Sequence, residues 1–148
     1  MGHHTDAGEA VDALLRAYER RDVEAYLGLF DPEATIVVPA ERAVLRSREA
    51  FGSHLRRRVE EGLLVHECRT WDVEVRRAGD AAAVASYVVS AHVDGQPLPV
   101  RSRETVVLER DDQGAWHVVH LHRSPQPVDW TPMARFASPR AAGVAGDA

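Results

Sequence analysis

The stretch Trp116–Ser124, "WHVVHLHRS", follows the turn signal "DDQG" and combines apolar β-branched residues with three histidines and one arginine. An apolar run of this length after a glycine-containing turn predicts a β-strand. Successive side chains of a strand point to opposite faces of the sheet. One face would carry His117, Val119, Leu121 and Arg123, and the other Trp116, Val118, His120, His122 and Ser124.

Three further segments precede this strand, and in each of them apolar residues recur with a period of two. They read "LLVHECRTWDVEVRRAGD", "AAAVASYVVSAHVDGQ" and "PVRSRETVVLERDDQG", and each ends in a turn that contains glycine. The first is one long strand or a strand with a bulge, and "VDGQ" carries the Asp-Gly signal of a hairpin. Together with the final strand they predict a four-stranded antiparallel meander.

Helical spacing dominates the first sixty residues. Thr5 or Asp6 can cap a first helix, a short second helix follows, and Ser47 begins a third helix that Gly62 ends. The run "TIVVP" between the second and third helices is a short strand. Three helices before a meander predict an α+β fold, with the helices packed in a curved antiparallel sheet. We expect a disordered N-terminus over 1–6, one domain over 7–126, and a partly disordered C-terminal tail over 127–148.

The composition narrows the class of protein. With 148 residues the chain is one domain, and its net charge of −5 with dispersed basic residues gives no reason to expect a nucleic-acid partner. No segment reaches the roughly 18–20 apolar residues that cross a bilayer, so no membrane partner is expected. Cys68 is the only cysteine, which excludes an intrachain disulfide and favours a reducing compartment, so we expect a soluble, cytoplasmic protein.

The order helix–helix–"LFDPEATIVVP"–helix–meander, closing on "WHVVHLHRS", resembles the nuclear transport factor 2-like superfamily over about residues 8–126. That superfamily includes the SnoaL-like polyketide cyclases, ketosteroid isomerase and the association domain of calcium/calmodulin-dependent kinase II. The resemblance implies a cystatin-like α+β roll whose concave sheet face and helices enclose a conical pocket. It also implies a homodimer through the convex face, where we expect Trp116, Val118 and His120.

The same resemblance implies a set of site residues. The kinase association domain carries an arginine at the position of Arg123, which assigns the face of Arg123 to the pocket. The isomerase's buried acid aligns with Arg101 or Arg103, its general base with Val38, and the catalytic aspartate of the cyclases with Leu121. The expected catalytic residues are His54, Tyr87 and Arg123, and the expected substrate-binding residues are Tyr18, Val38, Val89, Arg101, Arg103, Val119 and Leu121.

Neither known carboxylate base is present, so the remaining arginines, tyrosine and histidine define the expected chemistry. A histidine exchanges protons near neutral pH, and arginine or tyrosine can stabilise an oxyanion. We therefore expect a cofactor-independent cyclase, isomerase or dehydratase that acts by acid/base chemistry on a polyketide-like or other carbonyl intermediate of bacterial secondary metabolism. The substrate would be an anionic or enolisable carbonyl compound. The alternative is a non-catalytic ligand-binding or oligomerising association module.

A metal site is the remaining interpretation of the closing strand. His120 and His122 share one face of the strand, but no third ligand stands at a suitable spacing. We therefore expect no bound metal, and we interpret the two histidines as structural or interface residues.

Removal of Arg123 is expected to weaken ligand binding with little loss of stability, because a buried charge is costly.

Overall fold

The computed structural model of the protein describes residues 6–63 and 65–126. The elements within them are α1 Ala7–Glu19, α2 Val23–Gly28, β1 Phe30–Val37, α3 Arg48–Glu60, β2 Val65–Arg77, β3 Ala82–Val93, β4 Val100–Arg110 and β5 Trp116–Pro125. The strands form one sheet in the order β1-β5-β4-β3-β2. This architecture confirms the predicted α+β fold, with helices packed in a curved sheet. The predicted disorder of residues 1–5 and of the tail over 127–148 lies outside the described residues.

Side-chain caps set where the helices begin. The carboxylate of Asp6 accepts a hydrogen bond of 2.8 Å from the backbone N–H of Glu9 and starts α1. The hydroxyl of Ser47 accepts one of 3.0 Å from the N–H of Ala50 and starts α3. Both caps stand where the sequence predicted a helix start. They orient two amphipathic helices whose apolar faces turn toward the sheet.

The sheet contains one parallel pair of strands. Strands β2 to β5 form the predicted antiparallel meander. Strand β1 lies beside β5 and runs parallel to it, with Thr35 opposite His120 and Val37 opposite His122. A parallel pair needs a long connection, and α3 with the rest of the meander supplies one. The sheet is therefore mixed at this edge, whereas the sequence predicted only antiparallel pairing.

A β-bulge in β5 changes which side chains face the core. The register with β4 pairs Val107 with His120 but Leu108 with Val118, so Val119 is an extra residue in the strand. Trp116 and Val118 are consequently buried on the same side as Leu121. The prediction that Trp116 and Val118 lie on the convex face is wrong, because strict alternation does not hold across a bulge.

The core fills the concave side of the sheet. Apolar residues of α1, including Val11 and Leu14, pack there with alternate residues of β3 and β4 such as Ala85 and Val106. Phe51 of α3 closes the aromatic part of this core. The inward-facing residues of the last part of β3 and the first part of β4 are not covered by core side chains. They line a cavity instead, and they are Val89, Ala91, Val93, Val100 and Ser102.

Candidate functional site

A cavity of about 670 Å³ lies between the helices and the concave face of the sheet. This volume is in the range of small-molecule sites. Its wall is mainly apolar, with valines from β2, β3 and β4 and Leu55 from α3. The wall also contains polar and charged residues, which are Tyr18, Arg21, Asp22, Tyr26, His54, Arg58, Cys68, Gln96, Ser102 and Arg123. The cavity therefore combines apolar surface with groups that could bind the polar parts of a ligand.

Arg123 is held in the cavity wall by a buried carboxylate. Its Nε and Nη2 donate hydrogen bonds of 3.3 Å and 3.1 Å to Oε2 of Glu104, which is 1% exposed. Burial alone would lower the pKa of Arg123, but the negative charge of Glu104 raises it, so the guanidinium stays charged. Glu104 uses two of the five N–H donors of the guanidinium. The pairing therefore orients Arg123 and leaves donors for a ligand in the cavity.

Two tyrosines bring hydroxyl groups to the same wall. Burial raises the pKa of Tyr18 and of Tyr26 well above the usual value, so both phenols remain protonated. The ring of Tyr18 lies 6.0 Å from the guanidinium carbon of Arg123. Within the described residues the hydroxyl of Tyr26 and Oε1 of Glu104 are buried without a hydrogen-bond partner. The Tyr26 hydroxyl is thus a buried donor that no side chain among the described residues satisfies.

His54 lies on the opposite, helical side of the cavity and belongs to a charged network. Its Nδ1 is 2.9 Å from Oε1 of Glu41, and Arg57 donates to the same oxygen over 2.7 Å. A carboxylate only accepts hydrogen bonds, so Nδ1 carries the ring proton and Nε2 is left as the basic nitrogen. The hydrogen bond from His54 is the main reason that the pKa of Glu41 is lowered. The dyad keeps Glu41 charged and His54 in one tautomer.

Some of the predicted site residues line the cavity, and others lie in the core or at the β-bulge. His54, Arg123, Tyr18 and Val89 line the cavity. Tyr87, Val38 and Leu121 are buried in the core, where apolar neighbours surround them. Val119 is the extra residue of the bulge and is half-buried. The catalytic and binding roles given to all of these residues stay predictions.

Arg101 and Arg103 do not face the cavity, contrary to the prediction. The guanidinium of Arg101 lies 5.7 Å from the ring centre of Trp71, and Arg103 pairs with Asp72 over 3.3 Å, both on the outer face. Ser102 and Glu104 point inward instead, because β4 continues the parity of its core residues Val106 and Leu108. The buried acid at this end of β4 is Glu104, one residue beyond Arg103.

Two important residues, Glu104 and Tyr26, were missed from the sequence. The sequence did carry a signal for Glu104, because it lies on the same face of β4 as the apolar residues Val106 and Leu108. That signal did not decide which face is buried, because the other face carries the β-branched residues Thr105 and Val107. For the contact of Glu41 with His54 no local signal exists, because Glu41 lies in the connection before α3.

The described residues show neither a metal-binding cluster nor a membrane-spanning helix. Residues 6–63 and 65–126 contain no group of three or more His, Cys, Asp or Glu side chains arranged to hold a metal ion. His120 instead hydrogen-bonds through Nδ1 to the hydroxyl of Thr35 over 2.7 Å. No helix in these residues combines the length and apolar character needed to cross a membrane.

Comparison with known proteins defines the class. The sequence profile of the SnoaL-like domain matches residues 8–129, and the chain therefore belongs to the SnoaL-like domain family. No curated protein matches the sequence.

Solved structures with a similar fold support this class. A ketosteroid isomerase-like protein from Erwinia carotovora atroseptica superposes with a TM-score of 0.68 at 17% identity, covering 81% of this chain and 94% of its own. A putative calcium/calmodulin-dependent protein kinase type II association domain from Thiobacillus denitrificans gives 0.67 at 18% identity, covering 86% and 100%. A nuclear transport factor 2-like superfamily protein from Salmonella enterica gives 0.63 at 20% identity, covering 84% and 91%. At identities this low the similarity shows a shared fold, and it does not by itself show a shared activity.

Proposed function

We propose that the protein is a cofactor-independent enzyme that moves a proton at a carbon next to a carbonyl group, as a cyclase, isomerase or dehydratase does. One observation carries this proposal: a single cavity is lined both by His54, whose Nδ1 is held by Glu41, and by Arg123, whose position is set by Glu104. A base and an oxyanion donor on facing walls are the minimum for enolisation.

In the proposed reaction Nε2 of His54 takes the proton from the carbon beside the carbonyl. The electron pair of that C–H bond forms the enolate double bond, and negative charge develops on the carbonyl oxygen. Arg123 donates N–H groups to this oxygen, and two of its five donors are already used by Glu104. For isomerisation, the protonated His54 delivers the proton to a different carbon of the extended enolate, so the carbonyl re-forms and the carbon–carbon double bond is shifted. For dehydration of a β-hydroxy ketone, it delivers the proton to the hydroxyl group; the carbonyl re-forms, the enolate pair becomes the new double bond to the β-carbon, the β C–O bond breaks and water leaves. For cyclisation, the enolate carbon bonds to a second carbonyl carbon of the same substrate, and His54 protonates the alkoxide that forms.

The test is exchange of deuterium from D₂O into 2-tetralone, an enolisable bicyclic ketone, followed by proton NMR. The wild type should accelerate exchange over buffer, and His54→Ala should lower the enzymatic rate by about 10²–10⁴-fold, the range for loss of a general base. His122→Ala is the control, because this exposed histidine lies on the outer face and should leave the rate unchanged. A wild type no faster than buffer, or a His54→Ala variant as fast as the wild type, contradicts the proposal.

The resemblance to polyketide cyclases favours a polyketide-like or other carbonyl intermediate of bacterial secondary metabolism as the natural substrate. The apolar wall of the cavity supports such a ligand, because it would bury carbon-rich rings or chains. We propose a cytoplasmic location, because the sequence contains one cysteine, Cys68, and so does not use intrachain disulfides for stability.

A second candidate is a ligand-binding association module that assembles through the outer face of the sheet. Two large apolar side chains on that face, Trp71 and Val84, are 39% and 38% exposed. A second copy of the chain that covered these side chains would remove apolar area from water, which favours association. We propose that this face forms a homodimer in either case, and the exchange experiment separates the enzyme from the module.

A further inference from the structure

The charges of the cavity wall are unequally distributed. Among the described residues that line it, three are arginines, Arg21, Arg58 and Arg123, and one is an acid, Asp22. Asp22 caps α2, and its Oδ1 accepts a hydrogen bond of 3.1 Å from the N–H of Ala25. Glu104 balances Arg123 from behind the wall. Positive charge without a buried counterion therefore remains at Arg21 and Arg58.

Arg21 stands where a helix normally ends in glycine. Its backbone has φ of 58°, the left-handed region that residues with a side chain rarely adopt, and its N–H donates to the carbonyl of Tyr18. Its side chain lines the cavity and makes no ion pair among the described residues. The left-handed backbone is the usual way for a helix to end, and here it directs an arginine side chain into the cavity wall.

Arg58 is the second cation of this group. Its partner is Glu61, at 3.7 Å and three residues along the helix, and both side chains are largely in solvent. An exposed pair of this kind contributes little and is readily exchanged for another anion. With side-chain exposure of 44%, Arg58 lies nearer the solvent than Arg123, at 23%. Arg21 is also exposed. These two arginines belong to the mouth of the cavity and Arg123 to its interior.

We propose that the mouth arginines Arg21 and Arg58 bind an anionic group of the substrate, a carboxylate or a phosphate, while its carbonyl group reaches Arg123 inside. The substrate is then an amphipathic acid with an apolar segment, which the valines and Leu55 of the wall contact, between its two polar ends. Arg123 is suited to the carbonyl end because Glu104 already neutralises its full charge. This inference rests on the proposed function and adds the substrate class.

Isothermal titration of the full chain with three probes tests the proposal. They are 7-oxooctanoate, its methyl ester and the phosphate monoester of 8-hydroxyoctan-2-one, which share a methyl ketone and differ at the other end. The wild type should bind the acid or the phosphate at least about tenfold more tightly than the ester, as expected for charge-assisted hydrogen bonds. The stronger of the two anions identifies a free acid or a phosphate-bearing substrate.

The double variant Arg21→Asn/Arg58→Gln should lose this preference and keep the affinity for the ester. Asparagine tolerates the left-handed backbone of residue 21, so the fold is retained. The matched control is Arg20→Gln/Arg56→Gln, which removes the same charge from exposed neighbours that do not line the cavity. Equal binding of acid, phosphate and ester by the wild type, no binding of either anion, or a preference that survives the double variant overturns the inference.

Deuterium exchange into the same probes separates this inference from the proposed function. Exchange that depends on His54 without any preference for an anion would refute the mouth site and keep the enzyme. A preference for the anion that depends on the mouth arginines, with no exchange in any probe, would keep the mouth site and refute the enzyme.

Discussion

At the scale of single residues, the pair of Arg123 and Glu104 matters for the stability of the protein as well as for ligand binding. Glu104 is fully buried, so a carboxylate left there without its guanidinium partner is a buried, unpaired charge. The structure therefore changes the expectation, drawn from the sequence, that removing Arg123 would spare the fold.

We expect Arg123→Ala to lower the free energy of unfolding by about 3 kcal/mol in urea denaturation, because it breaks a buried pair from one side. The double variant Arg123→Met/Glu104→Leu should recover most of this loss, since it removes both charges. Arg103→Ala is the control, because its pair with Asp72 is exposed and should contribute less than about 1 kcal/mol. An Arg123→Ala variant as stable as Arg103→Ala would show that Glu104 does not depend on its partner.

The contact between Glu41 and His54 predicts a pH dependence. The pKa of Glu41 is lowered from its ordinary value of 4.5, chiefly by the hydrogen bond from His54; burial opposes this effect, and the charge of Arg57 adds a smaller lowering. A lowered pKa in the folded state gives stability that is complete above pH 4.5 and is lost as the pH falls through the folded value. The stability difference between wild type and Glu41→Gln should therefore shrink below pH 4.5.

Urea denaturation at several pH values from 7 to 3 measures this difference. Glu60→Gln serves as the control, because Glu60 is an exposed carboxylate on the same helix as His54 and should show no such dependence. A difference between wild type and Glu41→Gln that stays constant across the range would contradict the assigned contact.

At the scale of elements, α3 carries His54 although it contributes little to the core. Only Phe51, Gly52 and His54 of this helix are buried. A helix with so narrow a buried face depends more on its cap, because packing supplies less of its stability. The position of the proposed base is thus tied to the hydrogen bond between Ser47 and Ala50.

We expect Ser47→Ala to lower the free energy of unfolding by about 1 kcal/mol, the usual cost of losing an N-cap. Amide hydrogen exchange in the first turns of α3 should accelerate at the same time. Ser53→Ala, an exposed position on the same helix, should change the stability by less than about 0.5 kcal/mol. Equal effects of the two substitutions would show that the side chain of Ser47 does not stabilise α3.

At the scale of the whole molecule, we expect the homodimer that we propose to form through the outer face of the sheet. Light scattering at micromolar concentration should give a mass near twice the 16.3 kDa of the chain. Val84→Lys should shift the protein toward the monomer, because it places a charge in the proposed apolar contact. Leu98→Lys, in the loop between β3 and β4, is the control that should leave the dimer intact. A monomeric wild type would rule out the proposed dimer.

Local patterns in the sequence were sufficient for the elements and their class. The capping side chains of Asp6 and Ser47 predict the starts of two helices. The alternation of apolar residues with a period of two, together with turns that contain glycine, predicts the meander. The inward position of Arg123 also followed, although through a resemblance and not through alternation from the start of the strand. These features depend on neighbours a few residues apart, which a sequence shows directly.

The tertiary structure alone decided which polar side chains meet. The extra residue Val119 shifts the alternation within β5, and no local pattern marks it. Glu104 faces inward and Arg103 outward because the register of β4 sets their faces, and a shift of one residue exchanges them. Glu41 reaches His54 across thirteen positions because the connection before α3 folds back over that helix. Such contacts depend on register and chain path, so the sequence determined the fold of this protein and the tertiary structure determined its candidate site.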